Sequence, residues 1–415
     1  MRYLLTPIGS TGDVHPFVGI GRRLQARGHD VVVVTAEPFD ALVRRAGLTF
    51  VPTSSFEDYQ QVTANPDLWH PRRGPRLVFR MVTRTMRRSY DTLSSLYEPG
   101  RTVLVGHTLS LATRVFEEVH GVPAATLDMA PNALRSDFQQ PILEPGRDLT
   151  RLPRPAKRLF WWLVDRLAID PALAPPLNAW RAELGLPPVR RVFNDWIHSP
   201  QRIIGLFPDW FAPPQPDWPS RLRLTGFPLF DEDDSRTPDA GLDAFLEGGS
   251  APLAFTAGSA NRLAHEFFGA AIEASRVLGR RALLLSAFAE QLPAALPDHV
   301  RHVTYAPFSR LLPRCAAVVH HGGIGTCAQG LAAGIPQLVM PMAYDQPDNA
   351  ARLARLGVGS MLAPRQFTAP HVAGALGALL DSHDAANACA GWRDRLLATD
   401  AIDRTCDLLE ALTPD

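Results

Sequence analysis

The residues best suited to chemistry lie in two glycine-bearing loops and one Asp-Gln pair. The first loop, Gly9-Ser10-Thr11-Gly12-Asp13-Val14-His15-Pro16, carries a carboxylate and an imidazole two positions apart. Either could take the proton of an attacking hydroxyl, a general-base step that contributes roughly 10²–10⁴ in rate. Asp13 is the stronger candidate and His15 the fallback. The non-catalytic reading makes Asp13 a cap for a helix that Pro16 should open. The second loop is His320-His321-Gly322-Gly323-Ile324-Gly325-Thr326. It closes the apolar run Cys315–Val319, and Thr326–Ala333 after it reads as a short helix stopped by Gly334. A glycine loop between a strand end and a helix N-terminus offers bare N–H groups and a positive dipole end to an anion. Only one of the two histidines can face the loop, because successive strand side chains point to opposite sides. Asp345-Gln346 follow a strand at Pro336–Pro341 and should lie in the loop at its carboxyl end, where open α/β sheets bind ligands. An anion cradle beside a carboxylate and an amide suits a diphosphate linked to a hydroxyl-rich group, such as a nucleoside-diphosphate sugar.

The elements that must hold these loops alternate strand and helix. Arg2–Ile8 reads as a strand, followed by a loop over 9–15 and a helix from Pro16 to about Gly28. Val31–Thr35, Val103–Gly106 and Ala124–Leu127 are further strands, apolar enough to be covered on both faces. A second unit opens at Pro252–Thr256 and loops through Ala257-Gly258-Ser259-Ala260-Asn261 into a helix. Two doubly wound α/β domains are the expectation, and 415 residues exceed what one hydrophobic core usually serves. Proline is dense between them, and the linker belongs near Gly226-Phe227-Pro228 and the acidic run that follows.

Several functions are disfavoured. Forty-two basic and 42 acidic residues leave no net charge to attract nucleic acid. Gly9–Gly12 departs from the dinucleotide fingerprint, and no acidic residue ends the second strand, Glu37 coming only near it. Asp231-Glu232-Asp233 could hold a metal, but beside prolines it reads as a solvated charge run, so no metal is assigned. Four cysteines without Cys-x-x-Cys spacing suit reduced thiols in a cytoplasmic protein, and no apolar run reaches the length of a membrane span. The arginines at 72, 73, 76, 80, 84, 87 and 88, interleaved with Leu77, Val78, Met81, Val82 and Met86, have two readings. One is peripheral membrane contact at an inner face, or with an acidic lipid acceptor. The other, which is favoured, is an ordinary surface helix. Lys157–Val164 repeats the pattern.

The stretch from Tyr305-Ala306-Pro307 through His321–Thr326 to Asp345-Gln346 resembles the donor-binding signature of the family 1 glycosyltransferases, and Gly9–Pro16 resembles their acceptor-side loop. The resemblance extends over essentially the whole chain. Phe193–Pro200 and Leu206–Gln215 are similar to the bacterial rhamnosyltransferases of mono-rhamnolipid synthesis. The resemblance implies the GT-B fold, two Rossmann-like domains facing across a cleft. An acceptor domain would span 1–220, a linker 221–240 and a nucleotide-sugar donor domain 241–394, with a last helix at roughly 395–415 packing back on the first domain. It implies an inverting hexosyl transfer from a donor of dTDP-rhamnose or UDP-glucose type to a hydroxyl of a lipid-like or phenolic hydrophobic acceptor, with no cofactor and no metal. By position, Asp13 is the base, Tyr305 stacks on the nucleobase and the Phe308 backbone reads its edge. Ser259 joins the Gly325 and Thr326 amides on the β-phosphate, and His321, just before Gly322 and Gly323, meets the α-phosphate. Asp345 and Gln346 hold sugar hydroxyls. Phe308 departs from the usual glutamine. Gln329 replaces the glutamate that UDP-preferring members use on the ribose, which leaves a thymidine-diphosphate donor open. The alternatives are a sugar-nucleotide epimerase of the same fold, and a non-catalytic nucleotide-sugar-binding subunit.

Overall fold

Residues 1–144, 148–231 and 240–412 are described by the computed structural model. Among the described residues the chain divides into two units: one comprises Met1–Ile142, Asp148–Phe230 and the C-terminal segment from Asp400, and the other comprises Leu143, Glu144 and Asp231–Thr399. In the first, β1 (Arg2–Thr6), β2 (Asp30–Ala36), β3 (Thr49–Ser54), β4 (Thr102–His107), β5 (Ala124–Asp128), β6 (Arg202–Gly205) and β7 (Leu222–Leu224) form one sheet. Its order is β3-β2-β1-β4-β5-β6-β7 and every pairing is parallel. Leu4, Val32 and Leu104 on one face pack against Leu93, Ala112 and Phe116 of the helices Arg73–Leu96 and Leu111–His120. On the other face Gly21 of the helix Thr11–Ala26 lies so close to the sheet that a Cβ there would come 3.0 Å from a Leu5 methyl. Helices on both faces are what near-continuous apolar strands require.

The first helix corrects the sequence reading. It starts at Thr11, with Ser10 at its cap and Pro16 inside it rather than at its first position. Ser10 and Asp13 have the spacing of a reciprocal cap, and that start signal prevails over the proline, which forfeits one hydrogen bond in the second turn. The single helix expected at roughly 395–415 is also two. His383–Leu397 ends the second unit, and Ala401–Glu410 starts anew where Asp400 accepts from the Asp403 N–H at 2.9 Å. Ala401–Glu410 lies along Thr11–Ala26. Arg27 pairs with Asp403, Asp407 and Glu410, and Arg23 with Asp400 and Asp403. Gly19 gives room for the approach, since a Cβ there would meet Phe230 at 2.9 Å and Ile402 at 3.1 Å.

The second unit repeats the design. β8 (Leu253–Thr256), β9 (Ala282–Leu285), β10 (Val300–Val303), β11 (Ala317–His320), β12 (Gln337–Val339) and β13 (Gly359–Met361) pair in parallel in the order β10-β9-β8-β11-β12-β13. Leu253, Phe255 and Val319 anchor its core against Phe267, Phe268 and Val372. In the acidic run, Glu232 and Asp233 lie outside the described residues, while Asp231 accepts from the Ser309 N–H at 2.8 Å and hydroxyl at 3.1 Å. All four cysteines are buried free thiols. Among the described residues no helix is long and apolar enough to cross a membrane. In Arg73–Leu96, Phe79, Val82 and Met86 enter a core with Leu111, Leu173 and Trp180, and the arginines of the expected basic stripe point outward.

Candidate active site

In each sheet the strand order reverses once, between β1 and β4 in the first and between β8 and β11 in the second. Loops leaving the two central strands then part to opposite sides and open a crevice at their carboxyl ends. Both chemically equipped loops sit at these points.

In the first unit the Gly9–Asp13 turn follows β1, and His107 ends β4 beside it. Asp13 Oδ2 accepts from the Ser10 N–H at 2.7 Å and from the Ser10 hydroxyl at 3.2 Å. Gly9 makes this possible: at φ +138°, a Cβ there would fall 2.1 Å from that oxygen. Asp13 thus does cap the helix, from its third position, and with one oxygen only. Oδ1 points toward His107 Nε2, 3.9 Å away. His107 Nδ1 accepts from the Leu109 N–H at 3.1 Å, so its proton resides on Nε2, the atom turned to Asp13. Burial lowers the pKa of His107, against the pull of Asp13 and Asp128, which keeps the imidazole neutral. His107 was not singled out from sequence. The signal was a polar residue closing the apolar strand Val103–Val105, but its nearness to Asp13 follows only from β4 pairing with β1. His15, the fallback base, is half-buried two residues further along the helix and packs edge-on against Phe230 with ring centres 5.8 Å apart.

In the second unit β8 and β11 are in register, Thr256 opposite His320, so the loops after them are neighbours. The His321 ring is clamped between two glycines. A Cβ at Gly258 would lie 2.8 Å from its Cε1, and one at Gly323 would lie 2.6 Å from its Nε2. Burial pushes its pKa down to about 4, so the ring is neutral near pH 7 and would meet a phosphate as an uncharged donor. His320 faces the other way and is fully buried. Its Nδ1 accepts from the Gly322 N–H at 3.1 Å, which puts the proton on Nε2, donated to Gln337 Oε1 at 3.0 Å. Burial lowers its pKa to about 3. Gly322, at φ +94°, is needed because a Cβ would strike Val339 at 2.8 Å.

The helix after this loop is Ile324–Ala333, two residues longer at its start than expected, with Gly323 as cap and Gly334 ending it at φ +68°. Gly325 and Thr326 therefore stand in the first turn, where amides have no intrahelical acceptor. Gln329, half-buried, follows Thr326 one turn on. Ser259 is exposed in the turn after β8. Asp345 lies in the turn after β12, at the N-cap position of the helix Gln346–Arg355 but without a side-chain cap bond, whereas Gln346 opens that helix rather than lying in the loop. Asp345 Oδ2 accepts from Asn349 Nδ2 at 2.7 Å, and the same nitrogen donates to the Gly322 carbonyl at 2.9 Å. Asn349, which the sequence reading passed over, thus ties the glycine loop to the carboxylate. Gln346 is 2% exposed, and its Oε1 accepts from the Met342 and Ala343 amides at 2.8 and 3.1 Å. The oxygen is spent on the loop, leaving the NH₂ end for any sugar. Tyr344 precedes Asp345 at φ +61°, a strained conformation for a bulky residue. Tyr305 and the first residue of the short helix Phe308–Leu311 follow β10, two strands from the switch point.

Known proteins resemble this chain in sequence and in fold. Residues 3–93 match the glycosyltransferase family 28 N-terminal domain, and residues 280–411 the erythromycin biosynthesis protein CIII-like C-terminal domain. The chain is 34% identical over 381 residues to O-mycaminosyltylonolide 6-deoxyallosyltransferase of Streptomyces fradiae, a match covering 88% of this chain and 86% of that one. It is 29% identical over 371 residues to the glycosyltransferase GtfC of Amycolatopsis orientalis, covering 87% and 86%. Among solved structures, the kitacinnamycin glycotransferase superposes with a TM-score of 0.73 at 22% identity, over 100% of this chain and 99% of that one. The spinosyn rhamnosyltransferase SpnG in complex with thymidine diphosphate superposes with a TM-score of 0.66 at 20% identity, over 98% and 100%.

Proposed function

Because the chain belongs to the family 1 glycosyltransferases and has their GT-B fold, we propose that it moves a hexose from a thymidine- or uridine-diphosphate sugar to a hydroxyl of a hydrophobic lipid-like or phenolic acceptor. The reaction inverts the anomeric carbon and needs no metal. The observation that carries this reading is the second switch point, where His321, the Gly325 and Thr326 amides and Asp345 converge. A diphosphate at the first turn of Ile324–Ala333 meets amide donors and the positive end of a helix dipole, with His321 adding a hydrogen bond. These groups stabilise charge developing on the leaving diphosphate. Ser259 completes the phosphate contacts, and Asp345 with the Gln346 NH₂ group orients the sugar. Tyr305 and the Phe308 backbone take the nucleobase.

Asp13 supplies the base. The acceptor hydroxyl gives its proton to Oδ1, the oxygen not used in capping, while its oxygen attacks the anomeric carbon from the side opposite the diphosphate. The C–O bond to the acceptor forms as the bond to the phosphate oxygen breaks. His107 acts as a positioning residue, its Nε2–H turned toward Oδ1. A thymidine nucleotide is favoured over a uridine one, since Gln329 brings no carboxylate to the ribose; SpnG, a rhamnosyltransferase solved with thymidine diphosphate, and the 6-deoxyallosyltransferase relative support a deoxysugar donor.

Thermal denaturation with a panel of nucleoside diphosphates tests the donor class, because a ligand that binds only the folded protein raises its melting temperature. Thymidine diphosphate and its sugars should give the largest shifts, and the proposal fails if no diphosphate shifts the transition. Consumption of a sugar nucleotide without any acceptor would instead identify an epimerase.

A further inference from the structure

The two arginine-rich segments that look alike in sequence are opposites in structure. In Arg73–Leu96 the apolar residues are inside. In the helix Arg154–Val164, which continues through a wide turn, Asp165–Ile169, they are outside. Leu159, Trp162, Leu163 and Leu167 are 55%, 46%, 39% and 66% exposed, and their spacing puts them on one stripe. Arg154, Arg158 and Arg166 of the same segment are exposed as well. The only acidic residue between Arg154 and Ile169 is Asp165, which is buried and bonded to Arg135 at 2.6 Å.

The stripe cannot turn inward, because the opposite face is anchored. Lys157 is 3% exposed and donates from Nζ to the Phe138 carbonyl at 2.9 Å, and Trp161 is packed under the Arg135 guanidinium at 4.3 Å. The outer arginines are held close to apolar surface rather than spread into solvent: Arg154 lies over the Phe138 ring at 3.9 Å and Arg166 over Trp162 at 5.6 Å. Arg158 pairs with Asp137. A second copy of the same face would bring arginine against arginine. An anionic surface complements it: exposed Trp and Leu side chains can sit at the headgroup level of such a bilayer while neighbouring arginines meet its phosphates.

We propose that the outer face of Arg154–Ile169 docks on an anionic lipid bilayer, with Leu159, Trp162, Leu163 and Leu167 entering the headgroup–acyl boundary and Arg154 and Arg166 meeting lipid phosphates. This is independent of the sugar or acceptor used. Cosedimentation of the full chain with phosphatidylcholine vesicles, with and without phosphatidylglycerol, tests it. Binding should appear with phosphatidylglycerol, weaken with salt, and be roughly tenfold or more weaker without it. Trp162→Ser with Leu167→Ser, and separately Arg154→Glu with Arg166→Glu, should each reduce binding roughly tenfold or more. Arg80→Glu with Arg84→Glu, on the helix whose apolar side is buried, should leave it unchanged. Thermal melting checks that each variant folds, and the two sets stand in for each other. The proposal is overturned if neither vesicle is bound, if charge makes no difference, or if the Arg80/Arg84 variant loses binding as much as the stripe variants. It is also overturned if sedimentation velocity shows dimers that Trp162→Ser with Leu167→Ser abolishes, since a second copy would then cover the face.

Discussion

Replacing Asp13 by asparagine separates the two jobs this side chain combines. Oδ2 holds the Ser10 N–H at 2.7 Å, and an amide oxygen can keep that bond. The helix start should therefore survive at a cost below about 1 kcal/mol. The basicity of Oδ1 is lost altogether. If that oxygen takes the acceptor proton, turnover with an aliphatic alcohol should fall roughly 10²–10⁴-fold, equivalent to about 3–5 kcal/mol in the barrier. The Michaelis constant for the sugar nucleotide should hardly move, because Asp13 and the donor loop belong to different units. A nitrophenol, already acidic, needs little help with its proton and should retain most of its rate. Steady-state kinetics on both acceptors, with His15→Ala alongside, reads the outcome. The reasoning is refuted if Asp13→Asn transfers to the alcohol at nearly the wild-type rate, or if both acceptors lose equally. Should His15→Ala alone be silent toward the alcohol, the base is His15.

Three further outcomes follow from the donor loop. Titration calorimetry should show His321→Ala losing affinity for the free nucleoside diphosphate by about 1.5–3 kcal/mol while Asp345→Ala keeps it, with both impaired toward the complete sugar nucleotide; equal losses would refute this division. Gly258→Ala adds a Cβ 2.8 Å from the His321 ring at a strained φ of +94°, so it should destabilise the protein by about 1–3 kcal/mol and weaken diphosphate binding. Gly28→Ala, strained at φ +88° but with nothing within 4 Å, should lose stability without losing affinity. Acid should weaken the fold through His320 and His321: below about pH 6.5 the unfolded chain takes up protons that the folded one refuses until about pH 3 at His320 and about pH 4 at His321. The stability present above pH 6.5 is thus lost as pH falls through that window. The drop in melting temperature between pH 7.5 and pH 5 should be smaller in His320→Gln, and an equal drop would show that His320 is not a source of it.

The parallel α/β architecture was legible in the sequence because it rests on local patterning. Val31–Val34 and Ala317–Val319, the latter part of the run Cys315–Val319, form strands covered on both faces, as near-continuous apolar runs favour, and the glycines at 322, 323 and 325 mark where backbone must pass close to something. Helix boundaries were less so. At the first helix two start signals competed, Ser10 with Asp13 against Pro16, and a hydrogen-bonded cap outweighs a preference for φ. At the last, Asp400 interrupts what periodicity alone would join.

Sequence by itself also determined which side chains could do chemistry, since a carboxylate, an imidazole or a bare amide is useful wherever it stands. What it could not determine is which of them meet. His107 lies far from Asp13 along the chain and becomes its neighbour only because β4 pairs with β1. Asn349 reaches both Gly322 and Asp345 only because β12 lies beside β11, and Gln346 turns inward because Met342 and Ala343 present their amides to it. The same limit applies to Leu159, Trp162, Leu163 and Leu167. Their pattern is that of a core helix, and tertiary packing sends them outward, because Lys157, Trp161 and Asp165 hold the other face. Periodicity defines the faces of a helix. Which face is buried depends on the partners that the rest of the chain brings to it.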